Sequence, residues 1–209
     1  MSQPKPVVYV VEDDDIGRGL IIALADSIGL TCKPFPSAAE FLDHFDTAQS
    51  GCLVLDIFMP GMSGLQLQTE LNRRGAIIPV IFVTINSHIP DAVAAMRQGA
   101  FNYLLKPFSA SELLASVRRA LAYDRQNRQT LAQIDGIRER IDSLTPSERE
   151  VMELLAQGCA NTKMADEMHL SERTVEFHRS RVMEKMGADS LAQLVRMYME
   201  FQQRAGQGH

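Results

Sequence analysis

Cysteine is scarce in this 209-residue chain: Cys32, Cys52 and Cys159 are odd in number, scattered, and nowhere spaced as C-x-x-C. That speaks against a disulfide framework and a thiolate metal site, and leaves three thiols expected in core positions. Long apolar runs are missing too. The longest near the start is Val7 to Val11, preceded by Pro4 and Pro6 and far too short for a signal-peptide core or a membrane span. Cytoplasmic residence with no membrane partner is therefore expected. An excess of positive charge is also lacking, since 21 Lys and Arg stand against 26 Asp and Glu for a net charge of −5. By region the count is 9 against 12 over residues 1–122, 4 against 4 over 123–144 and 8 against 10 over 145–209. Any contact with nucleic acid must come from a local basic patch.

With 45% hydrophobic and 22% charged residues, the composition is that of a globular protein long enough for two domains. Over residues 1–122, short β-branched runs alternate with longer helical patterns, which predicts an α/β domain with a doubly wound parallel sheet. The strands are read at Val7 to Val11, Thr31 to Pro34, Cys52 to Leu55, Pro79 to Thr84 and Phe101 to Leu105. Ser37-Ala-Ala-Glu40 and Ser109-Ala-Ser-Glu112 have the Ser-x-x-Glu form of a helix-starting capping box.

Residues 123–143 read as an amphipathic linker helix, weakened by Gly136, with a stripe of Leu131, Ile134, Ile137 and Ile141. Such a stripe can pack on a domain or on its own copy. Residues 144–209 carry four helical patterns and no strand, the make-up of an all-α helix-turn-helix domain. Thr145-Pro-Ser-Glu148 starts the first helix and Gly158 follows its end; Asn161 is expected to cap the second and Ser171 the third, which runs to about Met186. The fourth is read from Ser190 to about Gln202.

Parallel sheets place their sites at the carboxyl ends of strands. There the chain puts Glu12, Asp13 and Asp14 after the first strand, Asp56 after the third, Thr84 at the end of the fourth, and Lys106 after the fifth. Converging carboxylates repel unless a cation sits among them, and hard oxygen ligands select Mg²⁺ or a similar ion such as Mn²⁺. A carboxylate nucleophile for phosphoryl groups also needs donors around the transferring oxygens, which Lys106 and Thr84 supply.

The segments V-V-E-D-D, L-D-I-F-M-P-G-M-S-G, V-T and L-K-P-F resemble the motifs of bacterial receiver domains, a flavodoxin-like (βα)5 family, over the whole first domain. Asp56 lies 43 positions after Asp13 and 28 before Thr84, with Lys106 a further 22 on, as in that family. The resemblance implies that Asp56 is the phosphoacceptor and that Glu12, Asp13, Asp56 and the backbone carbonyl of Phe58 hold the metal. It further implies that Lys106 pairs with the phosphoryl oxygens and that Thr84 and Tyr103 form a switch pair. Two positions depart from the pattern. Glu12 replaces the more usual Asp, and Ile85 stands where a small residue generally follows the switch Thr. Ile85 is expected to crowd the approach of phosphodonor or water.

On a wheel of about 100° per residue, Val175, Val182 and Met186 share one face of the third C-terminal helix. Arg173, Glu176, Phe177 and Ser180 lie opposite, side chains able to read guanine, cytosine N4 and a thymine methyl. Arg181, Lys185 and Lys163 suit phosphates. Over Leu144 to Met197, L-T-P-S-E-R-E-V, G-C-A-N-T-K-M-A and S-E-R-T-V-E-F-H-R-S-R-V-M-E-K-M resemble the LuxR-type helix-turn-helix, which places Thr174 beside the reading residues and gives His178 a packing or phosphate-side place. With the receiver in front, the chain resembles response regulators of the FixJ/NarL class, nearer the FixJ side. That resemblance implies a sensor histidine kinase, double-stranded promoter DNA and RNA polymerase as partners, a homodimer when phosphorylated, and transcriptional activation rather than enzymatic turnover.

Two other functions fit parts of the pattern. Haloacid-dehalogenase-type phosphatases also use an Asp nucleophile after a strand, but they need an acid/base Asp two residues later, where this chain has Phe58. A receiver acting without phosphate would not require Asp13, Asp56, Thr84 and Lys106 together.

Overall fold

The computed structural model describes residues 5–85 and 88–205. These divide into two compact units, residues 1–128 and 129–209. In the first, strands β1 (Val7–Val11), β2 (Thr31–Phe35), β3 (Gly51–Asp56), β4 (Val80–Thr84) and β5 (Asn102–Leu105) alternate with helices α1 (Asp15–Asp26), α2 (Ala38–His44), α3 (Gly64–Arg73) and α4 (Ile89–Arg97), ahead of α5 (Ala110–Asp142). The sheet is parallel with order β2-β1-β3-β4-β5.

Both faces of this sheet are covered, which is why β1, β3 and β4 read as continuous apolar runs. Successive side chains point to opposite faces. Tyr9, Val11, Leu53, Leu55 and Phe82 pack with Phe41, Leu67 and Leu71 of α2 and α3. Val8, Val10, Val54 and Val83 pack on the other face with Ile21 of α1 and with Leu113 and Val117 of α5. Each such apolar side chain contributes about 1.5–3 kcal/mol on burial. The chain reverses its winding between β1 and β3, so a crevice opens at their carboxyl ends.

Helix α5 is continuous through Gly136, whose single weak position does not outweigh the helix formers around it. Within the first unit its buried Asp124 accepts from Ser50 Oγ at 2.6 Å and from the Gly51 N–H at 3.0 Å, and Arg128 Nε donates to its other oxygen at 2.9 Å. The same guanidinium donates to the carbonyls of Thr47, Ala48 and Gln49.

The second unit contains the last part of α5 with α6 (Pro146–Ala156), α7 (Asn161–Glu167), α8 (Glu172–Met186) and α9 (Leu191–Ala205). Ile137 and Ile141, the far end of the apolar stripe, join its core with Val151, Met152, Met164 and Val182. The capping boxes at Ser109 and Thr145 are formed, as is the Ser171 cap. Asn161 is a correction. The N-cap of α7 is Ala160, without a side-chain bond, and Asn161 Oδ1 instead accepts from Arg179 of α8 at 3.0 Å. The ion-assisted bond to a guanidinium outcompetes the local cap. Of the thiols, Cys52 is buried and Cys32 and Cys159 are half-buried. Burial pushes the Cys52 and Cys32 thiols up, which keeps them unreactive.

Candidate functional site

The carboxyl ends of β1, β3, β4 and β5 bring the expected residues to one edge of the sheet. Asp56 ends β3 and is 6% exposed, and the N–H of Phe58 donates to its Oδ1 at 3.1 Å. The turn after it folds back so tightly that a Cβ on Gly64 would stand 2.2 Å from the Asp56 carbonyl oxygen, so only glycine fits there. Glu12 and Asp13 follow β1, and one carboxylate oxygen from each, with one from Asp56, lie within 4.8 Å of one another. These are hard oxygen donors on two adjacent strands, a set that fits a small divalent cation.

Lys106 enters from the end of β5. Its Nζ donates to Asp56 Oδ2 at 2.9 Å and to Glu12 Oε2 at 2.6 Å. Burial pushes the Glu12 carboxyl well up, Lys106 pulls it back, and the charge of Asp56 adds to the rise. Burial alone would lower Lys106, but its bonds to Glu12 and Asp56 outweigh that and hold it above its usual value.

Thr84 is fully buried at the end of β4, beside the site. Ile85, next along, is 77% exposed, and Phe58 is also exposed. Tyr103 of β5 lines a groove of about 580 Å³ with Ile89, Val93, Met96 and Leu105. Sequence reasoning missed Arg18, whose Nη1 donates to the Glu12 carbonyl at 2.7 Å and whose other terminal nitrogen pairs with Asp15. Its position one turn into α1 was the available signal.

In the second unit Val175, Val182 and Met186 of α8 are buried, while Arg173, Glu176, Phe177 and Ser180 are exposed, Phe177 at 62%. Thr174 belongs to the helix start, its N–H donating to Ser171 Oγ at 3.2 Å and its Oγ1 lying 2.8 Å from that atom. Lys163 pairs with Glu167 at 3.5 Å and Arg181 with Glu184 at 2.7 Å, all at the surface. Lys185 is engaged inside the unit, donating to Glu148 Oε2 at 2.6 Å and to the Ser143 carbonyl at 3.2 Å. That bond, with the Thr145 N–H, holds the Glu148 carboxyl down at about 2. His178 is half-buried, and its Nδ1 has no hydrogen-bond partner among the described residues.

Residues 8–118 match the response regulator receiver domain, and residues 142–198 match the bacterial regulatory proteins of the luxR family. Nodulation protein W of Bradyrhizobium diazoefficiens is 43% identical over 94% of this chain and 86% of its own length. The transcriptional regulatory protein FixJ of Azorhizobium caulinodans is 44% identical over 91% of this chain and 90% of its own. Among solved structures, the response regulator StyR covers 94% of this chain and 100% of its own with a TM-score of 0.85 at 38% identity. The first unit is thus a receiver and the second a LuxR-type DNA-binding domain. The chain belongs to the two-component response regulators of the FixJ/NarL class, on the FixJ side, which regulate transcription and are not enzymes. A sensor kinase and DNA are the partners that those domains imply. No helix among the described residues is long and apolar enough to cross a membrane.

Proposed function

We propose that Asp56 is the phosphoacceptor of this regulator, taking its phosphoryl group from a phosphohistidine of a sensor histidine kinase as the P–N bond breaks and the P–O bond forms. The supporting observation is the setting of Asp56: buried, with Glu12 and Asp13 alongside and Lys106 Nζ at 2.9 Å. Glu12, Asp13, Asp56 and the Phe58 carbonyl hold Mg²⁺ or Mn²⁺, which when bound neutralises the transferring oxygens. Lys106 then leaves the bare carboxylate for the phosphoryl oxygens, and the Thr84 hydroxyl turns toward them while Tyr103 moves inward.

Moving Tyr103 reshapes the groove it shares with Ile89, Val93 and Met96. That apolar face, with α5, suits pairing of two phosphorylated copies. In a dimer, two α8 helices spaced about 34 Å apart enter successive major grooves of promoter DNA. There Arg173, Thr174, Glu176, Phe177 and Ser180 face bases, and Lys163, Arg181 and Lys185 face phosphates, Lys185 after releasing Glu148. We assign residues 1–122 to the receiver, 123–143 to the linker and 144–209 to DNA binding, in a cytoplasmic activator that engages RNA polymerase.

The test is incubation with Mg²⁺ and a small phosphodonor, followed by intact-mass measurement of the wild type and Asp56→Asn. One added phosphoryl mass on the wild type alone is expected. None on the wild type, or equal labelling of both, overturns the assignment.

A further inference from the structure

Glu12 is one methylene longer than aspartate, and that length has to fit between the end of β1 and the start of α1. At 1% exposure its side chain has no solvent to swing into. Lys106 holds one of its oxygens at 2.6 Å. On another side lies Gly17, in the first turn of α1.

Side-chain bonds in a helix tilt toward its N-terminus, so a Cβ on residue 17 would point back at the loop that carries the carboxylates. It would stand 3.3 Å from Glu12 Cδ, 3.5 Å from Glu12 Oε1 and 3.1 Å from Asp14 Oδ2. Both neighbours are tied. Asp14 caps α1, its Oδ2 accepting from the Gly17 N–H at 2.6 Å, and Arg18 grips the Glu12 carbonyl at 2.7 Å. Gly17 is helical, so its backbone conformation does not demand glycine, and glycine weakens a helix relative to alanine. What it supplies is room.

We propose that Gly17 is a positioning residue for Glu12: its missing Cβ lets the longer carboxylate lie beside Asp13 and Asp56, and the two residues form a matched pair that aspartate at position 12 would not need. The pairing rests on the reading of these carboxylates as a divalent-cation site.

The test is Mn²⁺ titration of the full chain, free ion read by electron paramagnetic resonance, for wild type, Gly17→Ala, Glu12→Asp, the double variant and Asp56→Asn, with a melting curve for each. Gly17→Ala is expected to weaken Mn²⁺ on the order of tenfold, the low end for groups that position metal ligands, while its Tm holds or rises. In the Glu12→Asp background the same change should matter less than about twofold, because the shorter side chain no longer meets the added methyl. A lowered Tm, unchanged Mn²⁺ affinity, or equal weakening in both backgrounds overturns the pairing. Wild type that binds no Mn²⁺, or Asp56→Asn that binds as wild type does, overturns the cation site and the pairing with it. Wild-type binding that Asp56→Asn loses but Gly17→Ala leaves intact defeats the pairing alone.

Discussion

Lys106 donates to Asp56 across 2.9 Å, so the cation that a phosphoryl group would meet already sits on the carboxylate that would receive it. A divalent ion held by Glu12, Asp13 and Asp56, as proposed, would compete with it for Asp56 and Glu12. Lys106→Met should therefore bind Mn²⁺ a few-fold more tightly, roughly the effect of removing one partly screened charge. Labelling by a small phosphodonor should slow by on the order of a hundredfold, the cost of losing one donor to transferring oxygens. Parallel Mn²⁺ titration and timed mass spectra separate the two effects, and a variant that loses affinity contradicts the competition.

Ile85 is 77% exposed directly after the buried Thr84, and the proposal that its side chain crowds the approach to Asp56 can be tested. Ile85→Ala should speed both labelling and loss of the phosphoryl group, by about threefold or more if the side chain narrows the approach. Timed intact-mass spectra give both rates. Equal rates in the two proteins defeat the crowding idea.

Glu148 links the start of α6 to Lys185 of α8, and its carboxyl is held at about 2 rather than 4.5. A folded-state value below the unfolded one adds stability that is fully present above about pH 4.5 and lost as pH falls toward 2. Glu148→Gln should lower the stability of the second unit by about 1 kcal/mol at pH 7, as for a partly buried ion pair, and by almost nothing near pH 2. Urea melts at several pH values test this; a pH-independent difference counts against it.

On α8, Arg173→Ala should cost about 1–3 kcal/mol of specific DNA affinity and relax preference at one base pair. Lys163→Ala should weaken binding to all sequences alike and reduce the salt slope by about 1. Fluorescence anisotropy against salt on specific and random duplexes distinguishes these effects. If Arg173→Ala behaved like Lys163→Ala, its place at a base edge would be lost.

Strands, the caps at Ser109, Thr145 and Ser171, and the gathering of Glu12, Asp13, Asp56, Thr84 and Lys106 were legible because each depends on local pattern or on strand ends, whereas at Ser37 the cap forms without the return bond from Glu40. The buried face of α8 was legible for the same reason, since Val175, Val182 and Met186 follow helical spacing. What stayed hidden were bonds between distant segments. Nothing local announces that Asp124 will anchor Ser50 and Gly51, or that Arg140 will donate to the Met186 carbonyl at the end of α8. Arg179 drew Asn161 away from its expected cap, and Glu148 drew Lys185 inward, because charged donors find partners wherever the fold brings them.

The bond from Lys106 to Glu12 spans 94 positions, and β5 is both the last strand of the sheet and its edge. During synthesis, the carboxylates of β1 and β3 emerge long before their cation. A nascent chain stalled before residue 106 carries Asp56 and Glu12 without the amine that bonds them. The amine that bonds both carboxylates therefore reaches them only once β5, the last strand of the sheet to be made, has been synthesised.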